Sequence, residues 1–135
     1  MSHEGVTMVI EPLKAEELFH TALCNGLGEL SGYGFEYRID RGARSKARSI
    51  LQEEFGDKTV YFEDVLLQVL RQGDSIFFID IEGGDEETEL TLPMVHERMA
   101  MVPESDLHAI LNEEDDACTA DAIIQTVLFG EIIYG

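Results

Sequence analysis

Asp80 and Glu82, within FFIDIEGG, stand two residues apart, the spacing at which side chains on a β-strand share a face. Two-metal nucleases of the exonuclease type use such a D-x-E pair, because carboxylates one strand-step apart can share Mg²⁺. Hydrolysis needs a further acid and a general base, and HAILNEED offers Asp115 and His108. A second acidic stretch, NEEDDACTADAI, places Glu113, Glu114, Asp115 and Asp116 in a row. It lacks the central glycine and the alternating ligands of an EF-hand loop. It reads instead as a solvated loop entering a helix capped by Thr119, with Asp121 in the first turn, where the helix dipole favours an acid.

Other candidates have bland readings. His20 and Cys24 lie one helical turn apart, a zinc-site spacing, but no second close pair accompanies them. A small buried Cys beside a partly exposed His is the simpler account. GLGELSGYG resembles a phosphate loop only superficially: a helix leads in and a strand leads out, the reverse of a dinucleotide fingerprint. Helix termination and a tight turn account for Gly28, Gly32 and Gly34. His96 and His108 have no spacing that specifies catalysis. No metal-ligand set and no cofactor motif is specified.

The charge balance narrows the field. Nine Lys and Arg against 28 Asp and Glu leave −19 on 135 residues. A compact chain of this length spans roughly 35–40 Å, over which a DNA duplex carries about 20–24 phosphate charges. Such a surface repels nucleic acid and anionic membrane and attracts basic partners. The charge is uneven. Residues 38–48 carry Arg38, Arg41, Arg44, Lys46 and Arg48 against one acid, a balance of +4, whereas residues 59–135 carry two bases against 18 acids, a balance of −16. The basic stretch could grip phosphate or a partner's acidic face, or pair with the chain's own carboxylates or a second copy.

These residues need elements to hold them. Apolar periodicity predicts helices from Pro12 through Leu30, from Ala43 to Phe55 closed by Gly56, and from Phe62 to Leu70 closed by Gly73. GFEYRI reads as a short strand, and SIFFIDIEGGDEETELTL as a β-hairpin with its second run at Glu89 to Leu92. Thr91 caps a helix through Val102, Ser105 starts another, and Thr119 starts the last, which stops at Gly130. The 44% apolar content supports one domain over 1–135. The class is α+β: about six helices and a small antiparallel sheet, with the hairpin near 75–92 and a strand near 33–39. Helix, strand, helix, helix, hairpin in 13–92 is also the element order of a winged helix, but FEDVLLQVLRQ offers one Arg against two acids and is a poor DNA reader. No apolar run is long enough to span a membrane, MSHEGVTMVIEPLKAEE lacks the pattern of a signal peptide, and Cys24 and Cys118 suggest no disulfide framework. A cytoplasmic protein with reduced thiols is expected.

Three stretches, LCNGLGELSGYGFEY, VYFEDVLLQVLRQGDSIFFIDIE and DDACTADAIIQTVLFGEIIYG, together resemble small acidic proteins of unknown function encoded in phages, prophages and related mobile elements of gut bacteria. The resemblance implies a host-cell cytoplasm and a role in a phage programme, and it carries over no functional residue. The expected function is a non-enzymatic interaction or accessory protein. Asp80, Glu82, Asp85, Glu86, Glu87 and Glu113 to Asp116 would present a negative face to a basic protein, in its sharper form as a DNA mimic. Self-association through Ile132, Ile133 and Tyr134 is the other partner expectation. The competing class is a metal-dependent hydrolase centred on Asp80 and Glu82.

Overall fold

Helix α1 (Pro12–Gly32) starts on a proline, whose missing N–H is harmless in a first turn, and turns Ala15, Leu18, Phe19, Ala22 and Leu23 inward. The computed structural model describes the backbone of residues 10–32, 34–114 and 116–133, and their side chains except at 29–32. Asp115, Tyr134 and the N-terminal nine residues lie outside that description, as does the side chain of Leu30. Gly34, at φ +89, turns the chain from α1 into strand β1 (Phe35–Ile39). Asp40 then caps helix α2 (Arg41–Phe55), its Oδ2 accepting from the Ala43 N–H at 3.0 Å. Helix α3 (Phe62–Arg71), strands β2 (Ile76–Asp80) and β3 (Glu86–Leu90), helix α4 (Leu92–Arg98), a 3₁₀ turn at Met99–Met101, α5 (Glu104–Leu111) and α6 (Ala117–Phe129) follow.

The class is α+β, with six α-helices and one three-stranded antiparallel sheet among the described residues. Strand order is β1-β2-β3, and Tyr37, Phe78 and Thr88 share one row. The winged-helix element order is present, but its third helix, α3, buries Val65, Leu66, Leu67, Val69 and Leu70 in the core. No helix among the described residues is long and apolar enough to cross a membrane.

Several expectations are corrected, and α5 starts at Glu104 behind Pro103 rather than at Ser105. The second hairpin strand runs from Glu86 rather than Glu89, and Leu92 already belongs to α4. Glu82 does not lie on β2, which ends at Asp80 and gives way to a turn. Asp116, not Thr119, caps α6: its Oδ1 accepts from the Thr119 N–H at 2.9 Å, and Asp121 lies beyond the first turn, buried beside Gln125. Gly28 lies inside α1 and terminates nothing.

Helix α6 is the centre of the core, buried without a break from Ala120 to Leu128. Its C-terminal carbonyls at Val127 and Leu128 accept from Arg98 Nη1, each at 2.9 Å, and Gly130 closes it in the left-handed conformation at φ +80. Against its N-terminal half lies Gly26 of α1, so close that an added Cβ would sit 2.7 Å from Ala120 Cβ and 3.0 Å from the backbone of Ala120 and Asp121. The same addition at Gly28 meets nothing within 4 Å.

The two glycines should therefore respond oppositely to alanine. Gly28→Ala should stabilise by about 0.5–1 kcal/mol, the ordinary gain of replacing a mid-helix glycine. Gly26→Ala should destabilise by about 1–3 kcal/mol, because the overpacked α1–α6 contact outweighs that gain. Urea unfolding of both variants measures the difference, and a stabilised Gly26→Ala would show that the helices have room to part.

Candidate interaction surface

Close pairs of ionisable groups tie three of the helices together. Glu16 on α1 is buried, and accepts from Arg71 Nε of α3 at 2.6 Å while its other oxygen meets His96 Nε2 of α4 at 2.7 Å. Burial raises the Glu16 carboxyl, but the hydrogen bonds and charges of Arg71 and His96 outweigh it and hold the group below its ordinary value. One turn on, His20 Nε2 meets Asp64 Oδ1 at 2.8 Å, and Asp64 Oδ2 accepts from the Tyr61 N–H at 2.9 Å, so one carboxylate anchors α1 and caps α3. A cleft of about 340 Å³ opens beside this pair, lined by Glu17, His20, Glu54, Asp64 and Arg71 among others. Cys24 sits nearby and exposed, its thiol pushed up by partial burial and by the charges of Glu63 and Asp64. That is the reverse of an activated nucleophile. The zinc-like spacing of His20 and Cys24 ends with the histidine bonded to Asp64, and no group of three metal-ligating residues converges among the described residues.

The acidic candidates fall into two groups. At the hairpin, Asp80 Oδ1 accepts from the Gly83 N–H and its carbonyl from the Asp85 N–H, both at 2.8 Å, which folds residues 81–85 into a turn. Gly84 and Asp85 take positive φ there, +94 and +63. Asp80 is thus committed to the turn, and the carboxyl of Glu82 rests over Gly34 rather than beside it on a strand face. Glu82, Asp85, Glu86 and Glu87 are exposed; Glu87 pairs with Arg38, whereas Asp85 and Glu86 have no ion pair among the described residues. The second group, Glu113, Glu114 and Asp116, lies between α5 and α6. Asp116 is held low by the Thr119 amide, and Asp106 is raised by burial and by Asp116. Glu113 borders a groove with Lys14, Glu17 and Thr21 of α1, while the hairpin turn abuts Gly34 beyond that helix's other end. From Thr21 to Gly32 the helix rises roughly 15–20 Å. The carboxylates therefore form two patches and not one row.

The basic stretch is divided as well. Arg38 pairs with Glu87 and lies over the Phe77 ring, 5.0 Å from its centroid. Arg44 lies over Phe62 at 5.6 Å, and Arg41, Lys46 and Arg48 make no ion pair among the described residues. The tail residues Ile132 and Ile133 are exposed and form no strand; the Ile133 N–H is bound by Gln125 Oε1 at 2.8 Å.

Two features lay outside what spacing revealed. Glu16, Arg71 and His96 are 55 and 80 residues apart in pairs and leave no local trace. The outward side of the sheet left one: residues 76–79 are apolar at every position, whereas a strand covered on one side alternates.

Glu16→Gln should lower stability by about 1–3 kcal/mol near neutral pH, because it leaves Arg71 and His96 without their anion. The Glu16 contribution is complete above the unfolded value near 4.5 and is lost as pH falls through the lower folded value. The gap between wild type and variant, read by denaturant titration, should close as pH drops below that point; a pH-independent gap would refute the assignment. No protein-family model, curated protein or solved structure matches the chain.

Proposed function

We propose that the protein is a non-enzymatic interaction protein whose acidic hairpin end receives a basic protein partner. The observation that carries this reading is the state of the carboxylates at the β2–β3 turn. Glu82, Asp85 and Glu86 are exposed, and no cation among the described residues forms an ion pair with them. In a molecule of net charge −19 that end adds a local attractive field for cationic surfaces. The separation of the hairpin from the Glu113–Asp116 region favours discrete contacts over a phosphate-like row. The resemblance to phage-encoded acidic proteins suggests the setting, a bacterial host cell in which a small accessory protein engages a host or phage partner.

The hydrolase reading loses its geometric premise, since the turn removes Glu82 from the strand face that Asp80 occupies. Millimolar Mg²⁺ or Mn²⁺ should leave the thermal midpoint unmoved; a rise of several degrees that Asp80→Asn abolishes would restore that reading. The interaction itself is tested by matched triple neutralisation. Glu82→Gln with Asp85→Asn and Glu86→Gln should abolish salt-sensitive capture of basic proteins from bacterial lysate, while Glu104→Gln with Glu113→Gln and Glu114→Gln, an equal loss of charge, should leave it largely intact. Equal losses from both sets would reduce the interaction to net charge alone.

A further inference from the structure

The sheet has an outward face that the core does not use. Pairing places Arg38, Phe77 and Glu89 in one row and Glu36, Ile79 and Glu87 in the next, all on the side opposite the buried Phe35, Ile76, Phe78 and Leu90. The Ile81 N–H bonds the Gly34 carbonyl at 3.1 Å, which prolongs the β1–β2 ladder one step and extends the apolar line to Phe77, Ile79 and Ile81. Phe77 and Ile79 are half-buried and Ile81 is 46% exposed. The line runs down the middle of the sheet with three acids and one base flanking it, and a hollow of about 300 Å³ opens beside Phe77, lined by Arg38, Ile39 and Asp40.

Arg38 already demonstrates how this face holds a cation. Its guanidinium lies over the Phe77 ring and pairs with Glu87, two strands away across the apolar line. We infer that the outer sheet face docks an amphipathic basic helix of a partner protein, with the helix's apolar stripe on Phe77, Ile79 and Ile81 and its flanking Lys or Arg side chains on Glu36, Glu87 and Glu89. The inference rests on the acidic-interaction reading and names the partner's chemistry. A second copy does not suit the face, because it would set three carboxylates against their own equivalents with only Arg38 to offset each set. Strand addition is closed to β2, whose two edges are already paired. Phe77 to Ile81 spans about 13 Å, the rise of two to three helical turns, so the matching segment carries apolar residues at i, i+4 and i+7 or i+8.

The test uses a synthetic helical peptide of about 16 residues with a leucine stripe flanked by lysines, and a scrambled peptide of identical composition. Fluorescence anisotropy at near-physiological salt measures affinity for the full chain. The striped peptide should bind at least about tenfold tighter than the scramble, and Ile79→Ser should weaken it about five- to tenfold by removing apolar contact. Ile81→Ser, in the exposed turn, should produce a similar loss without threatening the fold, which circular dichroism verifies. Equal binding of both peptides, or wild-type binding by Ile81→Ser, would overturn the docking face and leave the electrostatic reading standing. Binding of neither peptide would remove both.

Discussion

At Gly26 the backbones of α1 and α6 come so close that one methyl group has no room, and the remaining layout depends on that approach. Helix α6 is buried around nearly its whole circumference, Asp121, Gln125 and Thr126 included, and must be covered on several sides. Helix α1 covers one side, fixed at Gly26 on Ala120, and Phe35, just beyond its C-terminal turn, reaches Phe129 at the far end of α6 with ring centroids 5.5 Å apart. Two contacts along one axis therefore set where β1 begins, and β1 sets the register of the sheet. The other end of α1 carries Glu16 and His20 to α3 and α4, so the polar ties locate those helices around the same axis.

A chain of −19 works against its own compactness, and part of its acid is used to offset that. Asp40 and Asp116 cap helices, Asp80 folds a turn, Asp64 both caps and anchors, and Glu16 holds Arg71 and His96. Each of these carboxylates accepts from a donor that would otherwise stand unpaired near a helix end or between elements. Asp106 is raised first by its burial and then by the charge of Asp116, which it meets without a cation. Of the acids left over, two groups stand at the hairpin turn and the α5–α6 connection, where solvent screens them.

Much of this was legible in local signals, and the failures have physical causes. Pro12, Gly56 and Gly130 mark helix ends as their backbone preferences require, and alternation located the hairpin. Glu82 was misplaced because strand spacing holds only while the strand continues, and the Asp80 carboxylate captures the Gly83 amide and ends it. Thr119 and Asp116 are both good caps; the choice fell to the residue whose side chain reaches the third amide of the helix, and Asp116 does. Gly28 resembled a terminator because glycine is common at helix ends, yet the contacts of α1 carry the helix past it. The Glu16 network depends on tertiary placement, which no window of sequence contains, whereas the unbroken apolar run at 76–79 did mark β2 as apolar on both sides.

Helix α2 bears on the orientation of charge across the sheet. Its cations, Arg41 and Arg44, stand in the first turn and its acids, Glu53 and Glu54, in the last, an order opposed to the helix macrodipole. Burial of Ala43, Ala47 and Leu51 and the Asp40 cap stabilise the helix regardless, so its charge order is not explained by helix stability. Its effect is on the field. The cationic end adjoins the β1 edge of the sheet through Asp40, whereas Glu87, Glu89, Asp85 and Glu86 lie toward the β3 edge and the turn. Charge is therefore distributed unevenly across the sheet, with carboxylates toward β3 and the cations of α2 beyond β1. On the proposed reading, a cationic partner arriving at that face would be drawn to one edge rather than the other, which would select an orientation before any apolar contact forms.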